Sequence, residues 1–105
     1  MGFNLSYELD TDLVKVVLRG ELDGQTAIKS QKTFEEAAKL KPDKVVVYMK
    51  DLNYMSSAGI RLLLYIKQRV MSKSSQMILV APQATVLNTL TMSGVTQAVH
   101  VVDAY

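Results

Sequence analysis

The chain has 105 residues, of which 49% are hydrophobic and 21% are charged, as in ordinary globular domains rather than disordered segments. Its net charge of +2 is scattered over 12 basic and 10 acidic residues, so nucleic acid is not an expected partner. The chain has no cysteine, and no apolar run approaches the roughly 20 residues that span a bilayer. We therefore expect one cytoplasmic domain over residues 1–105, without a metal, a cofactor or direct membrane contact.

The first half of the chain predicts a hairpin followed by a helix. Alternating apolar residues indicate a half-buried strand: Phe3, Leu5, Tyr7 and Leu9. Residues 10–12 have turn chemistry, residues 13–19 form a β-branched second strand, and Gly20 closes the hairpin. Asp23 is a suitable N-cap for a helix over residues 25–40. The apolar positions of this helix are Ala27, Ile28, Phe34, Ala37, Ala38 and Leu40.

The second half alternates strands and helices. Residues 45–49 form a continuous apolar run typical of a strand buried on both faces. A second helix follows residue 57 and carries an apolar stripe interrupted by a lysine: Ile60, Leu63, Leu64, Lys67, Val70 and Met71. A strand at residues 77–81 is followed by a third helix between Pro82 and Gly94, with Val86, Leu87 and Leu90 on its apolar side, and a last strand lies at 99–102.

This order, β-β-α-β-α-β-α-β, predicts an α/β fold in which helices flank a mixed sheet. Helices that connect strands imply parallel pairing after the initial antiparallel hairpin. Five methionines lie in or beside apolar runs, and we expect them to fill the core: Met49, Met55, Met71, Met77 and Met92.

The segment from Asp51 to Arg61 is the most informative about function. Ser56 and Ser57 fall where a strand-to-loop segment turns into the second helix, a place where free backbone N–H groups favour a phosphate. Ala58 and Gly59 are small and would leave the approach to a hydroxyl open to a kinase. A serine at this position is equally suited to a plain helix cap, so the residues alone leave a regulatory site and a structural cap both open.

Catalytic machinery is difficult to assemble from this sequence. His100 is the single histidine and lies near the end of the chain, so a serine nucleophile at 56 or 57 lacks an evident base. No Gly-x-x-x-x-Gly-Lys loop is present to hold a nucleotide. We expect the protein not to be an enzyme, with a Ser57 nucleophile as the weakest alternative.

Two segments resemble the STAS domain family, which includes bacterial anti-sigma factor antagonists and the tails of sulphate transporters. Gly20-Glu21-Leu22-Asp23, followed by Thr26-Ala27, is similar to the Gly-Glu-Leu-Asp motif before the family's first helix. Asp51-Leu52-Asn53-Tyr54-Met55-Ser56-Ser57-Ala58-Gly59-Ile60 resembles its Asp-Leu-Ser-x-hydrophobic-Asp-Ser-Ser-Gly-Leu block. A weaker similarity lies at residues 86–95, so the resemblance covers nearly the whole chain.

The resemblance implies a role in partner switching. The family's unphosphorylated protein binds an anti-sigma factor that is itself a serine kinase, the sigma factor is released, and a phosphatase reverses the modification. Alignment on Gly59 makes Ser57 the phosphate acceptor, with Ser56 as the alternative because it replaces the family's acidic residue. The residues that surround this site by analogy, and are implied to contact the partner, are Asp23, Thr26, Asp51, Ser56, Ala58, Gly59 and Arg61.

Two further implications of the resemblance concern partners. Many relatives continue into a C-terminal helix beyond the position of Tyr105, so a partner or self-association is expected to cover the corresponding core edge. The alternative function is an unmodified scaffold subunit of a lipid-handling or transport complex. In that case the turn at Ser56 and Ser57, called the serine corner below, is a constant contact surface.

Overall fold

A computed structural model describes residues 2–105 and confirms the α/β fold. The strands are β1 (Phe3–Asp10), β2 (Leu13–Leu22), β3 (Lys44–Tyr48), β4 (Leu52–Met55), β5 (Gln76–Val80) and β6 (His100–Val102). The helices are α1 (Gly24–Ala38), α2 (Ser57–Tyr65) and α3 (Ala84–Met92), with a π-helical turn at Ile66–Val70 and a 3-10 turn at Val95–Gln97. None of these helices has the length and apolar character needed to cross a bilayer.

The sheet is mixed and is organised around the long strand β2. Its strand order is β1-β2-β3-β5-β6, and only β1 runs antiparallel to its neighbour. The first part of β2 pairs with β3, and its last residues pair in parallel with β4, with a shift of register after Gly20. Gly20 has a φ of +93°, and a Cβ there would collide with the carbonyl of Gly2, so this position requires glycine.

Strand β4 is an element that the sequence did not predict. The sequence pattern indicates a connection between strand and loop here, but Leu52–Met55 completes the β2 edge next to the second helix. Leu52 and Met55 are buried while the two residues between them are exposed. This pattern lacks the two-residue alternation by which a half-buried strand is recognised.

The main core lies between the sheet and the helices. It joins Val14, Val16 and Leu18 of β2 to Phe34 of α1 and Leu63 of α2, all of which are almost fully buried. A smaller apolar cluster on the opposite face is built around Val46, Ile78 and Val80 and contains only residues of strands and their connections. One face of the sheet is therefore packed by helices, and the other by the side chains of neighbouring strands.

Four predicted core positions are wrong. Leu87 is 37% exposed, because only Val86 and Leu90 of α3 face the core. Ile28 is 77% exposed because the buried stripe of α1 follows Ala27, Ser30 and Phe34, which leaves Ile28 beside the stripe. Leu40 is exposed because α1 ends at Ala38. Met92 is 80% exposed at the end of α3, although the other four internal methionines are buried as expected.

The stripe predicted for the second helix is wrong in part. Ile60 and Leu63 are buried as expected, but Leu62 and Ile66 are buried too, and Lys67 is only half-buried. The helix changes to a π-helical turn at Ile66, which shifts the phase of the last turn relative to a regular α-helix.

Strand β1 is less buried than its alternating pattern indicates. Phe3 and Leu5 pack against the main core, but Tyr7 is 39% and Leu9 is 56% exposed. The N-terminal half of β1 borders α1, whose Thr26, Lys29 and Ser30 line the same surface depression as Phe3 and Leu5. The apolar side chains in the C-terminal half of the strand are exposed to solvent.

Candidate functional site

The carboxyl ends of β2 and β4 lie side by side and place two helix N-termini next to each other. Leu22 pairs with Met55, and the Ser56 N–H donates to the Leu22 carbonyl at 2.9 Å. Helix α1 begins two residues after Leu22, and α2 begins two residues after Met55. The two predicted motifs, around Asp23 and around Ser57, are therefore brought together at one edge of the sheet, where unpaired N–H groups create a positive potential.

Asp23 and Thr26 form a capping box at the start of α1. The Asp23 carboxylate accepts a hydrogen bond from the Thr26 N–H at 3.0 Å, and the Thr26 hydroxyl accepts one from the Asp23 N–H at 2.8 Å. The backbone and side-chain hydrogen bonds from Thr26 lower the pKa of Asp23 below its ordinary value. A fixed negative charge therefore lies at the mouth of α1, next to the start of α2.

Ser56 and Ser57 have different environments. Ser57 is the first residue of α2 and is exposed to solvent. Ser56 holds the N-cap position, yet its side chain makes no capping hydrogen bond, and its Oγ is buried without a partner in residues 2–105. The plain-cap interpretation requires a hydrogen bond that Ser56 does not make, and of the two hydroxyls only that of Ser57 belongs to an exposed residue.

Gly59 is small for a different reason from the one the sequence suggests. The residue is buried, so it does not keep a path to the hydroxyl open, and that part of the prediction is wrong. A Cβ on Gly59 would lie 2.9 Å from Met55 Cγ and 3.0 Å from Leu22 Cγ. Glycine thus lets α2 lie directly on the ends of β2 and β4, which fixes where Ser57 emerges.

An open groove of about 500 Å³ runs between α1 and α2 beside the serine corner. Its residues come from both helices: Gly24, Gln25, Ala27, Ile28, Gln31, Ala58, Arg61, Leu62 and Tyr65. Ile28 and Tyr65 are exposed apolar side chains here, and a hydrogen bond with Glu35 raises the pKa of Tyr65. Sequence reasoning misses both residues as surface features, since the helical spacing places Ile28 in the core and Tyr65 belongs to no motif.

Two of the residues considered at the sequence level lie away from the corner. Asp51 precedes β4, forms an exposed ion pair with Arg19 at 3.8 Å, and is separated from Ser57 by a strand about 13 Å long. His100 is exposed on β6, and the strand pairing places it level with Lys15 of β2, whereas the serine corner lies beyond Leu22, roughly 23 Å further along the strands. Residues 2–105 also contain no cluster of acidic and histidine side chains that could hold a metal ion.

Comparison with known families identifies the class of this domain. Residues 4–104 match the sequence profile of the STAS domain. The match covers nearly the whole chain, and the protein belongs to the STAS domain family. No protein of curated function matches the chain by sequence.

Solved structures with this fold include several anti-sigma factor antagonists. An antagonist from Mycobacterium paratuberculosis superposes with a TM-score of 0.89 at 16% identity, over 98% of this chain and 87% of that one. The antagonist SpoIIAA in its unphosphorylated form gives 0.73 at 23% identity, over 99% and 90% of the two chains. The phosphorylated form of the Bacillus cell fate determinant SpoIIAA gives 0.70 at 21% identity, over 95% and 90%. These likenesses establish the shared fold.

Proposed function

We propose that this chain is an anti-sigma factor antagonist that acts by partner switching in the cytoplasm. In its unphosphorylated form it binds an anti-sigma factor and frees the sigma factor, and phosphorylation of Ser57 ends that binding. The observation that carries the proposal is the exposure of Ser57 at the first position of α2, next to a serine whose hydroxyl is buried. Membership of the STAS family and the fold shared with known antagonists support it.

The chemistry requires no catalytic group from this chain. The Ser57 Oγ attacks the γ-phosphoryl group of ATP bound to the partner kinase, ADP leaves, and the hydroxyl proton passes to a base of that kinase. A phosphatase restores the hydroxyl by hydrolysis. The distance of His100 from the corner agrees with a protein that is modified rather than one that catalyses.

The domain itself tolerates a phosphate on Ser57. The group adds about −1.5 to −2 charges at neutral pH, and it would lie at a helix N-terminus, where negative charge is favourable. Arg61 is exposed four residues further along α2, the spacing at which an acidic group interacts with a following basic one. We therefore expect the fold to persist on phosphorylation.

A partner that covers the corner does not tolerate the same group. The groove beside Ser57 presents the exposed side chains of Ile28 and Tyr65, and a phosphate at its rim would have to be desolvated on docking. Docking would also exclude water from between the phosphate and the ionised Asp23, and their repulsion would then be stronger in the complex than in the free domain. A loss of about 3–4 kcal/mol at the interface weakens binding several-hundred-fold, which suffices for a switch.

Phosphorylation by the cognate kinase, followed by mass spectrometry, tests the acceptor. We expect the wild type and Ser56→Ala to take one phosphate on Ser57, and Ser57→Ala to take none. Ser56→Ala is a matched control because it removes the neighbouring hydroxyl and leaves the acceptor in place. Equal labelling of Ser57→Ala and the wild type would refute the assignment.

Binding to the anti-sigma factor tests the switch. Ser57→Asp should weaken the complex by at least a hundredfold, about 2.7 kcal/mol, while the melting temperature stays close to that of the wild type. Unchanged binding by Ser57→Asp and by the phosphorylated protein would instead favour the scaffold alternative, in which the corner is a constant contact surface. Co-purification with a membrane ATPase complex would point the same way.

A further inference from the structure

Strand β1 forms a long, open edge of the sheet. Its eight residues pair with β2 on one side, and within residues 2–105 no strand pairs with the other side. Natural edge strands are usually protected by charged side chains (lysine above all), proline, a bulge or a covering element. Strand β1 has a continuous register with β2, contains neither lysine nor proline, and is largely exposed over its second half, where Glu8 and Asp10 are its charged residues.

The hydrogen bonds around β2 show which backbone groups of β1 are free. The Asp12 carbonyl accepts from the Asp43 N–H at 2.7 Å, and the Gly20 N–H donates to the Asp51 carbonyl at 3.0 Å, so both face away from β1. Backbone groups alternate in direction along a strand, so the odd-numbered residues of β2 are the ones that face β1.

The register between the two strands shows which residues of β1 are hydrogen-bonded to β2. Leu13 pairs with Asp10, and Lys15 with Glu8, so the even-numbered residues of β1 bond to β2. The odd-numbered residues consequently direct their N–H and C=O groups to the open edge: Phe3, Leu5, Tyr7 and Leu9. These are also the apolar residues of the strand, and their side chains share the face that bears the helices.

We infer that β1 is a dimerisation strand that pairs antiparallel with β1 of a second copy, about a two-fold axis at Ser6. In this register Phe3 lies opposite Leu9 of the second copy, and Leu5 lies opposite Tyr7. The four residues whose N–H and C=O groups point to the open edge then each form two backbone hydrogen bonds with the second copy, which gives about eight intermolecular hydrogen bonds. The exposed side chains of Tyr7 and Leu9 gain apolar cross-strand neighbours.

The charges of the strand favour a second copy as the occupant. On the face away from the helices, Glu8 lies opposite Asn4 of the second copy and Ser6 lies opposite itself, so no carboxylate meets another. Asp10 extends past the paired segment. Shifting the axis to Tyr7 keeps the faces matched but leaves Phe3 unpaired and reduces the count to about six hydrogen bonds.

The proposed dimer leaves the serine corner free. Tyr7 pairs with Val16, in the middle of β2, whereas the corner lies beyond Leu22 at the end of that strand. The dimer is therefore independent of the proposed switch, and Ser57→Asp should not change it.

Cysteine cross-linking tests the register in a chain that has no native cysteine. Directly opposed residues of a non-hydrogen-bonded pair have Cα atoms about 4.5 Å apart, within the range that a disulfide bridges. Ser6→Cys should therefore form a covalent dimer under mild oxidation. Asn4→Cys and Glu8→Cys are matched controls, because each lies about 14 Å from its own copy in the dimer. Each should stay monomeric alone, and their mixture should form a cross-linked heterodimer.

Sedimentation equilibrium tests the backbone pairing. Tyr7→Pro removes an N–H that β2 does not use, so the fold should persist while dimerisation weakens at least tenfold. Leu9→Lys should weaken it as well by placing a charge in the apolar ladder, and circular dichroism would verify that both variants fold. A wild type that stays monomeric at every concentration, or equal cross-linking of the three cysteine variants, would overturn the inference.

Discussion

Replacing Gly59 by alanine tests how closely α2 is seated on the sheet. The added methyl would lie 2.9 Å from Met55 Cγ and 3.0 Å from Leu22 Cγ and Cδ2, well inside ordinary contact distance. Leu22 is fully buried and Met55 nearly so, so neither side chain has free space to move into. Overpacking of this kind costs about 1–3 kcal/mol, whereas alanine gains about 0.5–1 kcal/mol over glycine in a helix. We expect a net loss of about 1 kcal/mol in the free energy of unfolding.

Urea denaturation of the variant and the wild type, fitted in the same way, measures this loss in the free energy of unfolding. The melting temperature should fall by about 4 °C or more for a domain of this size. Gly24→Ala is the control, since it makes the same change in the first turn of α1, where a Cβ meets nothing within 4 Å. Gly24→Ala should therefore be neutral or slightly stabilising. If Gly59→Ala proved as stable as Gly24→Ala, the packing argument for glycine at this corner would be refuted.

Two further predictions concern the caps of the two helices. Ser56→Ala should leave the free energy of unfolding unchanged or raise it, because the buried Oγ has no partner whose loss would cost stability; a drop of about 1 kcal/mol in urea denaturation would reveal a capping bond after all. Asp23 has a lowered pKa, so its charge contributes stability that is present above the ordinary value of 3.8 and is lost as pH falls through the lower folded value. In Asp23→Asn the new side chain still caps the helix but cannot ionise. The stability of this variant should therefore lack the part of the pH dependence that the Asp23 charge contributes. Identical acid-unfolding curves for the variant and the wild type would contradict this prediction.

Much of the fold was predictable because its elements carry strong local patterns. The hairpin has alternating residues and a turn, the central strand at 45–49 is continuously apolar, and α1 has an N-cap at Asp23 that the structure contains. Strand β4 was not predictable, since its buried positions, Leu52 and Met55, are three residues apart and match no strand period. Its pairing depends on the length of β2, which is a property of the tertiary structure.

The serine corner was located from the sequence, but the difference between its two serines was not. Ser56 and Ser57 are the same residue type, and only the passage from extended backbone at Ser56 to helix at Ser57 buries one hydroxyl and leaves the next residue exposed. The role of Gly59 was likewise hidden, because its neighbour Leu22 lies far away in the chain.

The open edge of β1 shows a limit of a different kind. The alternation of apolar and polar residues over positions 3–9 indicates that one side of the strand is apolar, but it does not indicate what covers that side. Helix α1 borders Phe3 and Leu5 and leaves Tyr7 and Leu9 exposed, so half of the pattern has no explanation within one copy of residues 2–105. Antiparallel pairing about Ser6 supplies the missing neighbours from the same four residues, since it places the covered half of one strand beside the uncovered half of the other. A sequence that looks imperfectly matched to a monomer is thus self-consistent in a symmetric pair.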